Sequence, residues 1–385
     1  MPVARRQVQP LDITKKETSQ FRMLTIAKPS THNHQEVPMF YSGIDLHKDN
    51  CFITTINDAG ALLQQQRVAN VPEALLAYFA RLGTDHQAVV ESTSGWYWLN
   101  DLLEDHGIEL VLAHAKYLKA ISYAKVKTDK VDSHTLATLL RMKLIPQAHK
   151  ISRELRDIRD VMRARLRFVQ RRTRCIVSVH TIGRKFNCDD LIAIERQTIP
   201  DVLPEPYKLQ MQLLYQQIAL LHEQILALEK SLHPVLIPND DIQRLLWVPG
   251  IGKTTAFTIY LEIDGIERFT SDKHFVSYCR LVPGAHNSNR TLRQKSGNKD
   301  GNKYLKMAFS DCAVRAIQYY PEIRAFYKRM LRRTNERVAR AIVAKELARI
   351  VYSILKTKNN YRGFKGQPIS RVKALQWPRL ASPYA

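Results

Sequence analysis

The order of short apolar runs between residues 39 and 113 constrains the fold more than any other feature of the sequence. Met39–Leu46, Cys51–Ile56 and Ala61–Val68 are each long enough for one strand. The polar turns His47–Asn50 and Asn57–Gly60 separate them. Because turns this short join neighbouring antiparallel strands, the three runs predict a three-stranded meander.

After the meander the pattern alternates between helix and strand. The sequence predicts a helix over Pro72–Leu82, a strand over Gln87–Val90, a helix from about Trp96 to His106 and a strand over Ile108–Ala113. Three antiparallel strands followed by β-α-β units are the order of the ribonuclease-H-like fold, which includes RuvC-like domains. We therefore expect an α/β domain over residues 39–150.

Two acidic residues lie in or directly after apolar runs that we expect to be buried strands. Asp45 lies within the first run, and Glu91 directly follows the fourth. A carboxylate there is costly unless it is paired or binds a metal. Asp129 and Asp132 share one face of the first turn of another predicted helix. Alternatively, Thr128 or Asp129 caps that helix and Asp132 favours its dipole, so that none of the acids meet.

If the four carboxylates converge, they form a site for hard, oxygen-loving cations. The first and fourth strands are neighbours at the centre of the expected sheet, and the helix at Asp129 can reach the same edge. Magnesium is the ion such a set prefers, and we expect two of them.

The charge of the chain limits its partners. The 385 residues carry a formal net charge of +23, which predicts a polyanionic partner, by default nucleic acid, with a membrane surface as the competitor. No apolar run approaches the roughly 20 residues that span a bilayer, and Met1–Pro38 has no apolar core of the signal-peptide kind. We expect an intracellular protein. The five scattered cysteines predict neither a zinc site nor a disulfide framework.

From Ile151 the sequence becomes strongly basic, with apolar residues near helical spacing. The acids of this stretch, Glu154, Asp157 and Asp160, all stand near its start. A mixed-charge solvated face is therefore the weaker interpretation, and a phosphate-tracking helix is the stronger one. The arginines that we assign to nucleic-acid binding are Arg163, Arg167, Arg171 and Arg174.

A heptad of apolar residues follows an irregular, proline-rich stretch. Spacings of four and three alternate over more than three repeats, which predicts a coiled coil. The sequence leaves open whether it pairs with the arginine helix in cis or with another subunit. The heptad residues are Tyr207, Met211, Leu214, Ile218, Leu221, Ile225, Leu228 and Leu232.

Pro249–Gly252 joins two predicted helices and resembles the turn of a helix-hairpin-helix. Gly250, Gly252 and Lys253 would then bind phosphate at a helix N-terminus, although a glycine C-cap between two core helices explains the pattern equally well. A nucleotide P-loop would need glycine where Trp247 stands. The two helices are predicted over Asp241–Val248 and Thr254–Glu262.

Residues 283–303 show no apolar periodicity and predict a long basic loop. Two helices over 303–331 and 335–356 follow. The tail beyond is basic, and its aromatic residues suit single-stranded nucleic acid, although disorder explains it as well. Those aromatic residues are Tyr361, Phe364 and Trp377.

Three short motifs carry a resemblance to a known family. Gly43–Lys48, Val90–Thr93 and Lys127–Asp132 resemble the Asp-Glu-Asp-Asp (DEDD) transposases of the insertion sequence one-ten family, which are similar to pilin-gene DNA invertases. The resemblance covers roughly residues 40–355. It implies a DNA transposase or recombinase of the bacterial cytoplasm, associated with the nucleoid. The metal ligands that it implies are Asp45, Glu91, Asp129 and Asp132.

The resemblance also implies a serine nucleophile in the basic loop. We expect this loop to dock against the acids of the same chain or of another subunit. Ser288 stands at the position of the family's Ser-Gly pair but is followed by Asn289; Ser296, followed by Gly297, is the alternative. The hydroxyl needs activation, and a nearby cation offsets the phosphate charge. The basic residues assigned to DNA binding here are Arg290, Arg293 and Lys295.

The family resemblance further implies a guide (bridge) RNA encoded by the element, and synapsis of two DNA sites implies a homodimer or homotetramer. The alternatives are a junction-resolving nuclease that uses metal and water, and a non-enzymatic DNA-binding regulator. The expected organisation is an extension over 1–38, a RuvC-like DEDD domain over 39–150, a basic helix and coiled coil over 151–235, an α-helical transposase domain over 236–356 and a tail over 357–385.

Overall fold

The computed structural model describes residues 39–82, 85–93, 95–122, 128–288, 291–295 and 300–365, the strands between 284 and 295 by their backbone. The predicted extension over 1–38, Trp377, Ser296 and Arg290 lie outside these residues. The chain forms two compact units, one ending at His149 and the other beginning at Lys150.

The first unit is built on a five-stranded sheet of order β3-β2-β1-β4-β5. The strands β1 to β3 are antiparallel, and β4 and β5 run parallel to β1. This mixed sheet confirms the predicted meander followed by β-α-β units. The strands are β1 Phe40–Leu46, β2 Asn50–Ile56, β3 Leu62–Ala69, β4 His86–Glu91 and β5 Glu109–Ala113.

Helices cover both faces of this sheet. Because side chains alternate along a strand, Val90 packs on one face with Leu99, and Val89 packs on the other with Leu136. The first face lies under α1 and α2, the second under α3 and α4. The helices are α1 Pro72–Ala80, α2 Trp96–Glu104, α3 Ala115–Ile121 and α4 Asp129–Arg141.

The described residues of the second unit form helices and one hairpin. Its elements are α5 Arg153–Lys185, α6 Glu205–Leu232, α7 Asp240–Leu246, α8 Lys253–Ile263, α9 Asp272–Tyr278, β6 Gly284–Ser288, β7 Thr291–Lys295, α10 Lys303–Tyr319, α11 Pro321–Leu331 and α12 Glu336–Thr357. None of the helices within the described ranges is both long and apolar enough to cross a membrane.

The heptad helix α6 pairs with the arginine helix α5 of the same chain. Arg165 bonds Glu229 at 2.7 Å, Arg172 bonds His222 at 2.9 Å, and Lys185 bonds the Tyr207 hydroxyl at 2.6 Å. As the partner's number falls while the α5 number rises, the helices are antiparallel. Met211 and Tyr215 are buried against α5. The heptad stripe is therefore used in cis.

Three predictions for the second unit are wrong. The helix predicted over 303–331 is two helices, because Pro321 lacks the N–H that would continue α10 and instead fits the first position of α11. The predicted loop over 283–303 contains the antiparallel β6–β7 hairpin, since backbone pairing needs no apolar alternation. Tyr361 and Phe364 are core residues of the unit and do not form an exposed tail.

Candidate active site

A close approach of α4 to β1 creates the candidate site. A Cβ atom on Gly43 would lie 2.0 Å from the Ser133 carbonyl oxygen and 2.5 Å from the Ala137 nitrogen. Only glycine leaves room for the helix backbone at this point. The contact brings the first turn of α4, with Asp129, to the end of β1 that carries Asp45.

We expect Gly43→Ala to lower the free energy of unfolding by about 1–3 kcal/mol, because the added methyl group must push α4 away from the strand. Metal affinity should fall with it, since Asp129 moves with α4. Urea unfolding and calorimetry with manganese measure both effects. Gly95→Ala is the matched control, because its Cβ would meet only Leu46 at an ordinary 3.7 Å. Equal losses in the two variants would contradict the close-approach argument.

Buried hydroxyls also tie α4 to the sheet. The Thr54 and Ser133 hydroxyls are 2.7 Å apart, and both residues are buried. Ser133 donates to the Lys130 carbonyl within α4, and Gln65 donates to Thr54 from β3. The hydrogen bonds form one directed chain from the edge of the meander to the helix that carries the acids.

Two of the four predicted acids meet, together with a histidine. His47 Nε2 lies 3.2 Å from Asp45 Oδ2 and 3.5 Å from Asp129 Oδ1. One ligand atom from each of these three residues falls within 4.8 Å of the others, which makes them a candidate metal site. Arg67 of β3 donates to Asp129 Oδ2 at 2.8 Å.

The electrostatics of the cluster favour a cation. Burial raises the pKa of Asp45, His47 lowers it, and the negative charges of Asp132 and Asp129 raise it further. The negative charge of Asp132 is thus near enough to Asp45 for the two carboxylates to repel each other. A divalent cation would relieve this repulsion, and carboxylate oxygens are ligands that magnesium or manganese prefers, whereas an imidazole nitrogen suits transition metals. The residues present therefore fit a divalent cation.

Glu91 stands beside Asp45 on the adjacent strand. Ile44 pairs in register with Val90, and the next residue of each strand is Asp45 and Glu91. By alternation both acids share the face that α4 covers. Within the part of the chain that the structure describes, no group of three or more ligand atoms at that spacing includes Glu91 or Asp132.

Hydrogen bonds join the two segments that flank the β6–β7 hairpin, which carries Ser288. The Asn302 N–H donates to the Tyr278 carbonyl at 2.6 Å, and Arg280 Nε donates to the Gly301 carbonyl at 2.7 Å. Between these contacts, β6 ends at Ser288, which pairs with Thr291 at the start of β7. Arg293 and Lys295 lie on β7, whereas Arg290 and Ser296 fall outside the described residues.

Asn302 also links the hairpin to the helical core. Its side-chain oxygen accepts from the N–H groups of Tyr304 and Leu305, and its Nδ2 donates to Glu262 at 2.7 Å. Glu262 in turn accepts two hydrogen bonds from Arg163, at 2.5 and 2.6 Å. The Arg163 guanidinium is thus satisfied inside the protein.

Asn302→Ala should lower the free energy of unfolding by about 2–4 kcal/mol, because it removes a helix cap and one hydrogen bond to a buried carboxylate. Asn335→Ala is the matched control: Asn335 caps α12 with a single bond at 3.0 Å and is exposed. We expect that variant to lose only about 1 kcal/mol. Urea unfolding of both variants tests the difference, and equal losses would contradict it.

Three of the four assigned arginines of α5 remain exposed on one face. Arg167, Arg171 and Arg174 follow one another at spacings of four and three. Arg163 is instead held by Glu262.

The glycines between α7 and α8 differ in role. Gly250 has φ +82°, and a Cβ there would lie 2.2 Å from the Cys312 carbonyl oxygen, so its conformation and packing both require glycine. Around Gly252, which precedes Lys253 at the N-terminus of α8, no described atom lies within 4 Å of such a Cβ. Of these two glycines, Gly252 is the one with open space beside it.

Two family models match the chain. A transposase model, the DEDD transposase domain of IS110, matches residues 42–182, and the transposase model of the IS116/IS110/IS902 family matches residues 242–328. Together they span more than half of the chain and name the same family. The chain belongs to the IS110 transposase family. Membership makes it an enzyme that cleaves and rejoins DNA.

Relatives of the IS110-family chain agree with this assignment. It is 25% identical to a probable family 20 transposase of Pseudomonas aeruginosa, over 74% of this chain and 88% of that protein. It is 22% identical to the transposase for insertion sequence element IS1111A of Coxiella burnetii, over 83% and 90%. A pilin gene-inverting protein of Moraxella bovis is 32% identical over 31% of this chain and 38% of its own length.

Sequence reasoning on this IS110-family chain missed His47 and Arg67. The sequence pattern places His47 in a polar turn and Arg67 in a predicted strand. His47 lies within the Gly43–Lys48 motif, two residues after Asp45, so its proximity to Asp45 was a usable signal. Arg67 and Asp129 are 62 residues apart in the sequence, and no local sequence pattern predicts their contact.

Proposed function

We propose that the protein mobilises an insertion sequence, using a magnesium-carboxylate site and a serine nucleophile. The observation that carries the proposal is the convergence of Asp45 and Asp129 within the part of the chain matched by the DEDD model. Four acids are assigned to the metal site: Asp45, Glu91, Asp129 and Asp132.

The carboxylates bind and orient the cations, while the close contact at Gly43 fixes the distance between strand and helix. Glu91 is available from the neighbouring strand, and Asp132 from the same helical turn as Asp129. When bound, magnesium supplies Lewis acidity at a phosphoryl oxygen. His47 contacts Asp45 and Asp129, and the Arg67 guanidinium holds Asp129 and offsets part of its negative charge.

Ser288 is the proposed nucleophile, with Ser296 as the alternative. The serine hydroxyl loses its proton as its oxygen bonds to phosphorus, the bond from phosphorus to one deoxyribose oxygen breaks, and that oxygen takes up a proton and leaves as a hydroxyl. One phosphodiester is exchanged for another, so the energy of the ester bond is conserved. It is available for rejoining when a second DNA hydroxyl attacks the phosphoserine. Arg290 or Arg293 offsets charge on the phosphate. The contacts of Tyr278 and Arg280 with Asn302 and Gly301 support this role, because they join the two segments of chain that flank the hairpin.

Nucleic acid contacts the protein at several basic surfaces in this proposal. Arg167, Arg171 and Arg174 track a backbone along α5, Gly252 and Lys253 bind a phosphate at the start of α8, and Lys295 acts with the hairpin arginines. The open space at Gly252 supports the second contact. Arg163 is not included, because Glu262 already holds it.

A guide RNA encoded by the element selects the DNA partners in this proposal. The charge of +23 supports a ribonucleoprotein but does not distinguish RNA from DNA. Purification from cells that carry the whole element, followed by sequencing of bound nucleic acid, tests it. Recovery of no discrete RNA would favour direct readout of DNA.

A homodimer or homotetramer provides synapsis of two DNA sites. Because the heptad stripe is used in cis, the support comes from a second stripe on α6 that remains solvent-exposed. Light scattering of the wild type and of a variant with this stripe changed to glutamine tests the assignment. The exposed residues are Leu209, Leu213, Leu220 and Leu226.

A suicide DNA substrate, from which the cleaved end cannot be rejoined, separates the candidate functions. The serine mechanism predicts a protein–DNA adduct that survives denaturation and maps by mass spectrometry to Ser288. Cleavage with no adduct would identify a metal-dependent nuclease that uses water. Binding without cleavage, with magnesium present, would identify a DNA-binding regulator and overturn the enzymatic proposal.

A further inference from the structure

The turn between α11 and α12 forms a strongly basic corner, defined here as residues 324–340. It contains a single acid, Glu336. Every residue from Leu331 to Val338 is exposed, so the turn projects from its unit. The match to the family model ends at residue 328, so most of the corner lies beyond it. Its basic residues are Arg324, Lys328, Arg329, Arg332, Arg333, Arg337 and Arg340.

Some of these cations have a role inside the protein. Arg324 donates to the Ile317 carbonyl near the end of α10, Arg340 pairs with Glu336 at 2.9 Å, and Arg329 lies over the Phe326 ring. The remaining cations form no side-chain hydrogen bond, ion pair or ring contact with any residue that the structure describes. They are Lys328, Arg332, Arg333 and Arg337.

Folding does not explain such a cluster. Like charges one helical turn apart repel, and the only acid of the corner already has a partner. Residues 331–338 are all solvent-exposed, whereas a site for a small anion encloses most of its ligand. Leu331 and Val338, which are 38% and 42% exposed, place apolar surface among the cations. A projecting corner with this composition fits a groove between two phosphate backbones.

We propose that the basic corner binds duplex DNA, with Arg332, Arg333 and Arg337 on backbone phosphates. The inference rests on the family's action on DNA and is independent of the serine nucleophile. Each phosphate contact releases counterions, so the slope of log affinity against log salt counts the contacts.

The test measures binding of the full chain to a short random-sequence duplex, by fluorescence anisotropy, between about 50 and 200 mM salt. The triple variant Arg332→Gln, Arg333→Gln, Arg337→Gln should reduce the slope by about 2–3 and weaken binding by at least about tenfold. The matched control removes three scattered, exposed charges: Arg81→Gln, Arg196→Gln, Lys230→Gln. Lysine at the three corner positions should preserve the slope.

Thermal unfolding accompanies each variant, and we expect the glutamine triple to fold at least as stably as the wild type because it relieves repulsion. Should it fail to fold, single Arg332→Gln and Arg337→Gln variants, each expected to lower the slope by about 0.9, replace it. An unchanged slope, or an equal loss in the scattered control, would overturn the proposal. So would loss of binding to a hairpin RNA with duplex binding intact. Binding needs no cleavage, so failure here leaves the catalytic proposal standing.

Discussion

Asp45→Asn is expected to reduce strand cleavage by at least about a thousandfold. The substitution removes a charged ligand from the cluster that Asp129 and His47 share, and the loss of several kcal/mol of charge stabilisation corresponds to a rate effect of this size. Cleavage of the suicide substrate under saturating magnesium measures it. Asp49→Asn is the matched control, because Asp49 is exposed in the adjoining turn.

The same variant should stabilise the metal-free protein. The pKa of Asp45 is raised by burial and by its acidic neighbours, so its ionisation is less favourable in the folded than in the unfolded chain. The stability linked to this group is complete below the unfolded pKa and is lost as the pH rises through the folded pKa. At neutral pH, in chelator, Asp45→Asn should therefore unfold at a higher temperature, by a few degrees at most, and the gain should vanish in acid. If Asp45→Asn cleaved DNA as fast as the wild type, the result would contradict the proposed metal site. It would also contradict the catalytic mechanism that rests on that site.

Ser288→Ala is expected to abolish the covalent protein–DNA adduct and to reduce recombination by at least about a thousandfold, because alanine offers no oxygen to phosphorus. Binding of DNA should be unchanged. Denaturing gels of the suicide substrate and excision of a marked element in cells measure the two losses. Ser310→Ala is a control, since Ser310 is exposed and its hydroxyl donates to the Lys306 carbonyl within α10.

Ser296→Ala makes the assignment specific. An adduct that persists in Ser288→Ala and disappears in Ser296→Ala would move the nucleophile to the alternative serine. Full recombination by both alanine variants with no adduct would reject serine catalysis and favour the water mechanism, while leaving the acids in place.

The sheet of the first unit was predictable because its local patterns and its topology agree. Short turns specify antiparallel neighbours, and helices between strands specify parallel ones, so the order β3-β2-β1-β4-β5 follows from the chain itself. Asp45 and Asp129 could be placed at one edge for the same reason. The contact between Asp129 and Arg67 could not be predicted, because it depends on which side chains meet between a strand and a helix that are distant in sequence.

The second unit shows where sequence patterns stop being informative. The heptad of α6 identifies an apolar stripe but does not name its partner, which is α5 of the same chain. The sequence of the arginine helix indicates its charge. It does not reveal that Arg163 is bound by Glu262, a buried residue that lies 99 positions later in the sequence. Tyr361 and Phe364 follow a basic stretch, yet they complete the core, because their burial depends on α11 and α12 already being in place.

The bond between Thr54 and Ser133 bears on where along the sheet α4 comes to rest. A helix held only by apolar contacts can settle one turn, 5.4 Å, along its axis with little change in buried area. Such a slip would carry Asp129 out of reach of Asp45 while leaving the domain folded. Hydroxyl partners at fixed positions permit one alignment and leave unsatisfied buried groups in the others. The alignment of the metal ligands thus depends on an uncharged contact in the interior of the domain.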